Sequence, residues 1–220
     1  MNFMGEAKRR RMAADARKAE LALAVGRVGS ALRRLATAAS GQFGSDCYVH
    51  AALGHQLLAD LGIEARIEVG EAAWRVGSGD GDVIAHTPRV QGFAPENMPP
   101  DKRALAYHAW LVVDGNIVDF TTYQFERKAR ELDAADGGHT TVTWRPEALI
   151  LPVGLVLSYR QVAQAPKPGV AFYDAHPDLL KLMAAQFELQ ASDLAVARLL
   201  LTNPEMNVFG PNDVRDAGEP

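Results

Sequence analysis

Asp114-Gly115 is the most restrictive dipeptide in this chain. It separates two runs of strand-forming residues, 106–113 and 116–121. A two-residue hairpin loop needs positive φ at both central positions, and Asp and Gly accept that conformation more readily than most residues. The spacing predicts an antiparallel hairpin in which Val113 pairs with Asn116, Trp110 with Asp119 and His108 with Thr121. Side chains alternate between the faces of a strand, so this register puts His108 and Asp119 on one face, diagonally adjacent. The backbones there stand roughly 7–8 Å apart, a gap that an imidazole and a carboxylate can bridge. The opposite face reads Ala109, Leu111, Val113, Val118 and Phe120, a ready core surface. A three-residue loop would send the two polar residues to opposite faces.

Around this hairpin the periodicity predicts an α+β chain. Residues 5–24 are mostly strong helix formers, and 26–39 continue with Val28, Leu32 and Leu35 on one stripe, so one or two N-terminal helices are expected. After the punctuated stretch Ser40-Gly41-Gln42-Phe43-Gly44-Ser45, Leu53, Leu57, Leu58 and Leu61 repeat at helical spacing until Gly62. Cys47 therefore falls in the first turn of a helix. Strands are expected over 63–69, 73–76, 140–144 and 149–157, with a turn over 77–82. Residues 86–103 carry four prolines and no period, which reads as a long surface loop. Helices are expected over 122–134, 177–187 and 192–201, followed by an irregular tail from Asn203. The domain reading is a basic helical arm over 1–39, a catalytic-type domain over 40–202, and the tail 203–220. No apolar run approaches the roughly 20 residues of a membrane-spanning helix, since Arg27, Arg33 and Arg34 interrupt the best stretch, 21–35.

The chemistry-bearing residues are Cys47, His108 and Asp119. A cysteine in the first helical turn faces unpaired backbone N–H groups and the positive end of the helix dipole, both of which favour thiolate, while Asp46 beside it opposes ionisation. A buried His–Asp pair in an apolar hairpin needs a reason, because burying polar groups without partners is costly. A relay supplies one: Asp119 holds the imidazole, His108 takes the thiol proton, and Cys47 attacks a carbonyl. Gln42, five residues earlier, is a candidate oxyanion donor as against an ordinary loop glutamine. Trp110 is a candidate for the acyl-binding slot. Trp74 reads as core. The competing reading is a structural His–Asp hydrogen bond with an unrelated buried cysteine. Cys47, His50 and His108 could be imagined as a zinc site, but no tight ligand pair of the Cys-x-x-Cys or His-Glu-x-x-His kind occurs, so no metal and no cofactor are expected. His50 and His55 read as helix-surface or core-edge residues. Gly77, Gly79 and Gly81 precede no helix and make no phosphate cradle.

Gly44-Ser45-Asp46-Cys47, the helix after it, the stretch Leu61-Gly62-Ile63-Glu64-Ala65-Arg66-Ile67-Glu68-Val69-Gly70, His108-Ala109-Trp110 and Val118-Asp119-Phe120-Thr121 together resemble the transglutaminase-like cysteine hydrolase superfamily over about residues 40–125. The short interval from His108 to Asp119 resembles the lasso-peptide leader peptidases more than the transglutaminase cores. The resemblance implies a papain/transglutaminase-like fold, with a catalytic helix on an antiparallel sheet and extra N- and C-terminal helices. It implies Cys47 as nucleophile, His108 as base and Asp119 as its orienting partner, acting on an amide or peptide bond. Acyl transfer ranks below hydrolysis. An inactive relative that binds a peptide or protein in the same groove is the alternative.

Charge is unevenly spread. Residues 1–40 hold nine Lys or Arg against three acids, while the remainder is net negative within an overall charge of −4. The arm is therefore expected to contact its own domain or an acidic partner, with nucleic acid and membrane not expected for the domain. A single cysteine and the absence of a secretory-type apolar segment favour a cytoplasmic location.

Overall fold

A computed structural model of the chain describes residues 3–39, 47–87 and 107–212. Its elements follow the local chemistry closely at the N-terminus. Helix α1 (Phe3–Ala38) is continuous, as a run without proline or an interior stop allows. Its side chains are exposed over 6–20, and from Leu21 onward one stripe, with Val25, Val28, Leu32 and Leu35, is buried. Helix α2 (Cys47–Asp60) begins on the cysteine and ends before Gly62, whose φ of 76° is the left-handed conformation that stops helices. Gln42 lies outside the described residues, as do residues 88–106, most of the expected loop.

The strands are β1 (Arg66–Arg75), β2 (Val83–His86), β3 (His108–Val113), β4 (Asn116–Asp119), β5 (Leu149–Pro152) and β6 (Ala171–Ala175). They pair antiparallel in the order β2-β1-β3-β4-β5, with β6 also on β1. The hairpin forms in the predicted register: Val113 faces Asn116 and Leu111 faces Val118, across Asp114 and Gly115 at φ 47° and 73°. A 3-10 turn (Thr122–Gln124) leads into α3 (Phe125–Asp136). Short α4 (Tyr159–Ala163), then α5 (Pro177–Gln186) and α6 (Ala191–Thr202), complete the chain.

Three expectations need correction. The two strands read over 63–69 and 73–76 are one strand. Gly70 lies inside it, where β6 runs so close that a Cβ would strike the Asp174 carbonyl oxygen. Residues 140–144 are not a strand. They are held irregularly, with Thr141 N–H donating to the Asp82 carboxylate and both Thr143 and Trp144 N–H donating to the Val76 carbonyl. The strand read over 149–157 stops at Pro152, which lacks an N–H for the ladder. β2, α4 and β6 were not expected.

The sheet separates two cores. On one side Leu53, Leu57 and Leu58 of α2 and the buried stripe of α1 pack on Val69, Ala109, Leu111, Val118 and Phe120. On the other, Trp74, Trp110, Phe125 and Tyr173 cluster. Among the described residues no helix is long and apolar enough to cross a membrane.

Candidate active site

His108 and Asp119 are both fully buried, and His108 Nε2 lies 2.8 Å from Asp119 Oδ2. The diagonal geometry set by the two-residue turn is what brings them together. The carboxylate is saturated with donors. Tyr173 Oη–H donates to Oδ2 at 2.9 Å, and Thr121 gives both its N–H and its Oγ1–H to Oδ1 at 2.9 Å. Two further donors fix the direction of those hydroxyls. Trp74 Nε1–H donates to Tyr173 Oη at 2.8 Å and Lys128 Nζ donates to Thr121 Oγ1 at 2.9 Å, so each hydroxyl must turn its own proton toward Asp119. Burial raises the Asp119 pKa, but His108, Lys128 and the Thr121 N–H overcome it and hold the carboxyl well below the usual carboxylate range. Burial and the Asp119 charge push the Tyr173 phenol upward, which keeps it a donor.

An ionised Asp119 can only accept, so the His108 proton sits on Nε2. Burial lowers the His108 pKa, a pull that Asp119 opposes, and the neutral ring then carries its lone pair on Nδ1. That atom is buried and has no hydrogen-bond partner among the described residues. Such an atom is costly to maintain and suits a proton acceptor awaiting its donor.

Cys47 is buried at the first position of α2, with its sulfur 3.7 Å from the carbonyl oxygen of Tyr107, the residue immediately before His108. The helix start thus brings the thiol to the backbone at the beginning of β3, with no hydrogen bond between its sulfur and His108 Nδ1. The same Tyr107 oxygen accepts from His86 Nδ1 at 3.1 Å. The His86 ring lies 5.7 Å from that of His108, and burial, together with the Lys128 and His108 charges, lowers its pKa to about 3. His86 is therefore a neutral imidazole donating through Nδ1.

Trp110 is 3% exposed and stacks on His108 with ring centroids 6.1 Å apart. Trp74 meets the His108 ring edge-on at 4.7 Å and so belongs to the site's wall as well as to the core. His50 turns to the Tyr123 hydroxyl at 3.1 Å and the Gln124 amide at 3.4 Å, a polar cluster distinct from the histidine of β3. His86, Thr121, Lys128 and Tyr173 were not singled out from sequence as site residues. Thr121 alone had a visible signal, as the expected cross-strand neighbour of His108.

No family model and no curated protein matches this chain. Among solved structures, a chain described as "The crystal structure of genomics APC5867" superposes with a TM-score of 0.54 at 15% identity, covering 84% of this chain and 82% of that one. The likeness extends to the fold: α+β, with helices around an antiparallel sheet.

Proposed function

We propose that this protein is a thiol-dependent acyl hydrolase of papain/transglutaminase-like type that cleaves an amide or peptide bond with Cys47, His108 and Asp119. The observation that carries the reading is the His108 ring, whose Nε2 is committed to a donor-saturated carboxylate while Nδ1 is buried and without a partner among the described residues. A purely structural His–Asp pair gives no reason to bury the second nitrogen unpaired, at a cost of about 1–3 kcal/mol. The thiol at the start of α2, against the residue preceding His108, supports the same assignment.

In this mechanism the Cys47 S–H proton passes to His108 Nδ1 as sulfur adds to the substrate carbonyl carbon. Collapse of the tetrahedral species breaks the C–N bond, and the imidazolium Nδ1–H protonates the departing amine. Water then attacks the thioester with Nδ1 as base, releasing the carboxylic acid and restoring the thiol. Asp119 stabilises the imidazolium formed in each half-reaction and holds its tautomer. The substrate class proposed is a peptide or protein.

Acetylation by p-nitrophenyl acetate tests the reading. An initial burst of nitrophenolate with the acetyl group mapped to Cys47 is expected, absent in Cys47→Ala. Asp119→Asn should fold while turnover falls about 10²–10⁴-fold. Unchanged turnover in folded Asp119→Asn, or acetylation only elsewhere, would leave the thiol without a catalytic role and favour a peptide-binding module.

A further inference from the structure

Lys128 on α3 is a buried lysine whose charge the mechanism above does not use. It is 5% exposed, its Nζ has one hydrogen-bond acceptor, Thr121 Oγ1 at 2.9 Å, and no carboxylate among the described residues pairs with it directly. Instead the ammonium lies 5.1 Å from the centroid of the Trp74 ring and 5.9 Å from that of Phe125. Buried lysines are rare because desolvating an ammonium is costly, and a single neutral hydroxyl is poor compensation. Trp74 and Thr121 are the same two residues that hold the donors aimed at Asp119. The lysine is thus built into the carboxylate's own support.

We propose that Lys128 is a positioning residue for the Cys47-His108-Asp119 site, orienting the Thr121 hydroxyl onto Asp119 and, as an ammonium buried beside the pair, disfavouring a second proton on His108. The role rests on the catalytic reading of that site. Its electrostatics follow from the groups within reach. Burial, the largest influence, lowers the Lys128 pKa and Arg127 adds to that, while Asp119 on β4, Cys47 on α2 and Glu131 on α3 pull it part of the way back toward the cation. His108 on β3 and His86 on β2 each feel the lysine as a charge that disfavours protonation. Removing one positive charge at this range therefore makes it easier to add a proton to the Cys47–His108 pair, and the pH at which the thiol becomes reactive rises.

Two neutral variants of the full chain separate the parts of the role. Lys128→Gln keeps a donor for Thr121 and removes only the charge, and Lys128→Met removes both. Thermal unfolding identifies the folded variants, and the rate of Cys47 alkylation by iodoacetamide is then followed across pH. In folded Lys128→Gln the acid midpoint should move up by about one pH unit with the plateau rate within about twofold of wild type. Lys128→Met should show the same shift and a plateau lowered about tenfold further, from the misdirected Thr121 hydroxyl. A midpoint that stays in place in a folded neutral variant, or a rate reduced by the same factor at every pH, overturns the assignment. The His108 ring, titrated by NMR, keeps the two claims distinguishable. If wild-type Cys47 is unreactive, the catalytic reading fails, while an upward shift of the His108 titration in Lys128→Gln still supports the charge role and an unmoved titration refutes it.

Discussion

At the scale of single residues, the site is governed by who donates to Asp119. Four hydrogen bonds converge on its two oxygens. The arrangement assigns each proton: Nε2–H of His108 toward Asp119, the lone pair on the buried Nδ1. His86 adds a second consequence. Its pKa in the folded chain, about 3, lies below the roughly 6.5 of an unfolded histidine. Between those values the unfolded chain binds the extra proton and the folded chain does not, so stability increases with pH across that window and is lost as pH falls through it. Asp119, depressed relative to its unfolded value, adds a loss in the same direction at lower pH. The melting temperature should therefore fall as pH drops below about 6.5. His86→Gln, which never acquires the charge, should flatten that decline. A decline just as steep in the variant would show that His86 does not set the acid sensitivity.

At the scale of elements, α2 and the β3–β4 hairpin must meet closely for the thiol to reach β3, and Gly54 is where they touch. A Cβ added there would stand 2.5 Å from the Phe120 ring. Gly54→Ala should cost about 1–3 kcal/mol by overpacking, against the fraction of a kcal/mol that alanine gains in a helix. Denaturant unfolding measures this, and a stabilised variant would mean that Phe120 gives way. The hairpin was legible in the sequence because its turn chemistry is local: Asp114-Gly115 sets the register, and the register sets which side chains share a face. The start of α2 at Cys47 and its stop at Gly62 were legible for the same reason. Tyr173 was not, since its partner Asp119 is 54 residues away and no local pattern relates the two. Residues 140–144 alternate as a strand does, yet their backbone donors go to a carboxylate and to one shared carbonyl, a tertiary outcome that periodicity does not carry. No local pattern shows that β6 passes beside Gly70, where a side chain would not fit.

At the scale of the whole molecule, α1 has two parts of different character. From Leu21 onward it is built into the core with α2 and α6, and Arg34 ties it to the end of α6 by donating to the carbonyl oxygens of Leu200, Asn203, Pro204 and Met206. Residues 6–20 lie exposed, with six of the chain's basic residues between Lys8 and Lys18. Deleting residues 1–18 should leave the fold and the Cys47 reactivity intact, while any salt-sensitive self-association or binding to anionic partners declines. Sedimentation at low and high salt checks this, and an unfolded truncation would show that the first turns of α1 are structurally required. If the donor-saturated His–Asp pair serves the thiol of α2, Cys47 itself reports it. The rate of alkylation by iodoacetamide at pH 6.5, with the adduct mapped, should exceed that of a free cysteine thiol in wild type and fall to or below it in folded His108→Ala. Equal rates in the two proteins would contradict the account and leave Cys47 a structural cysteine.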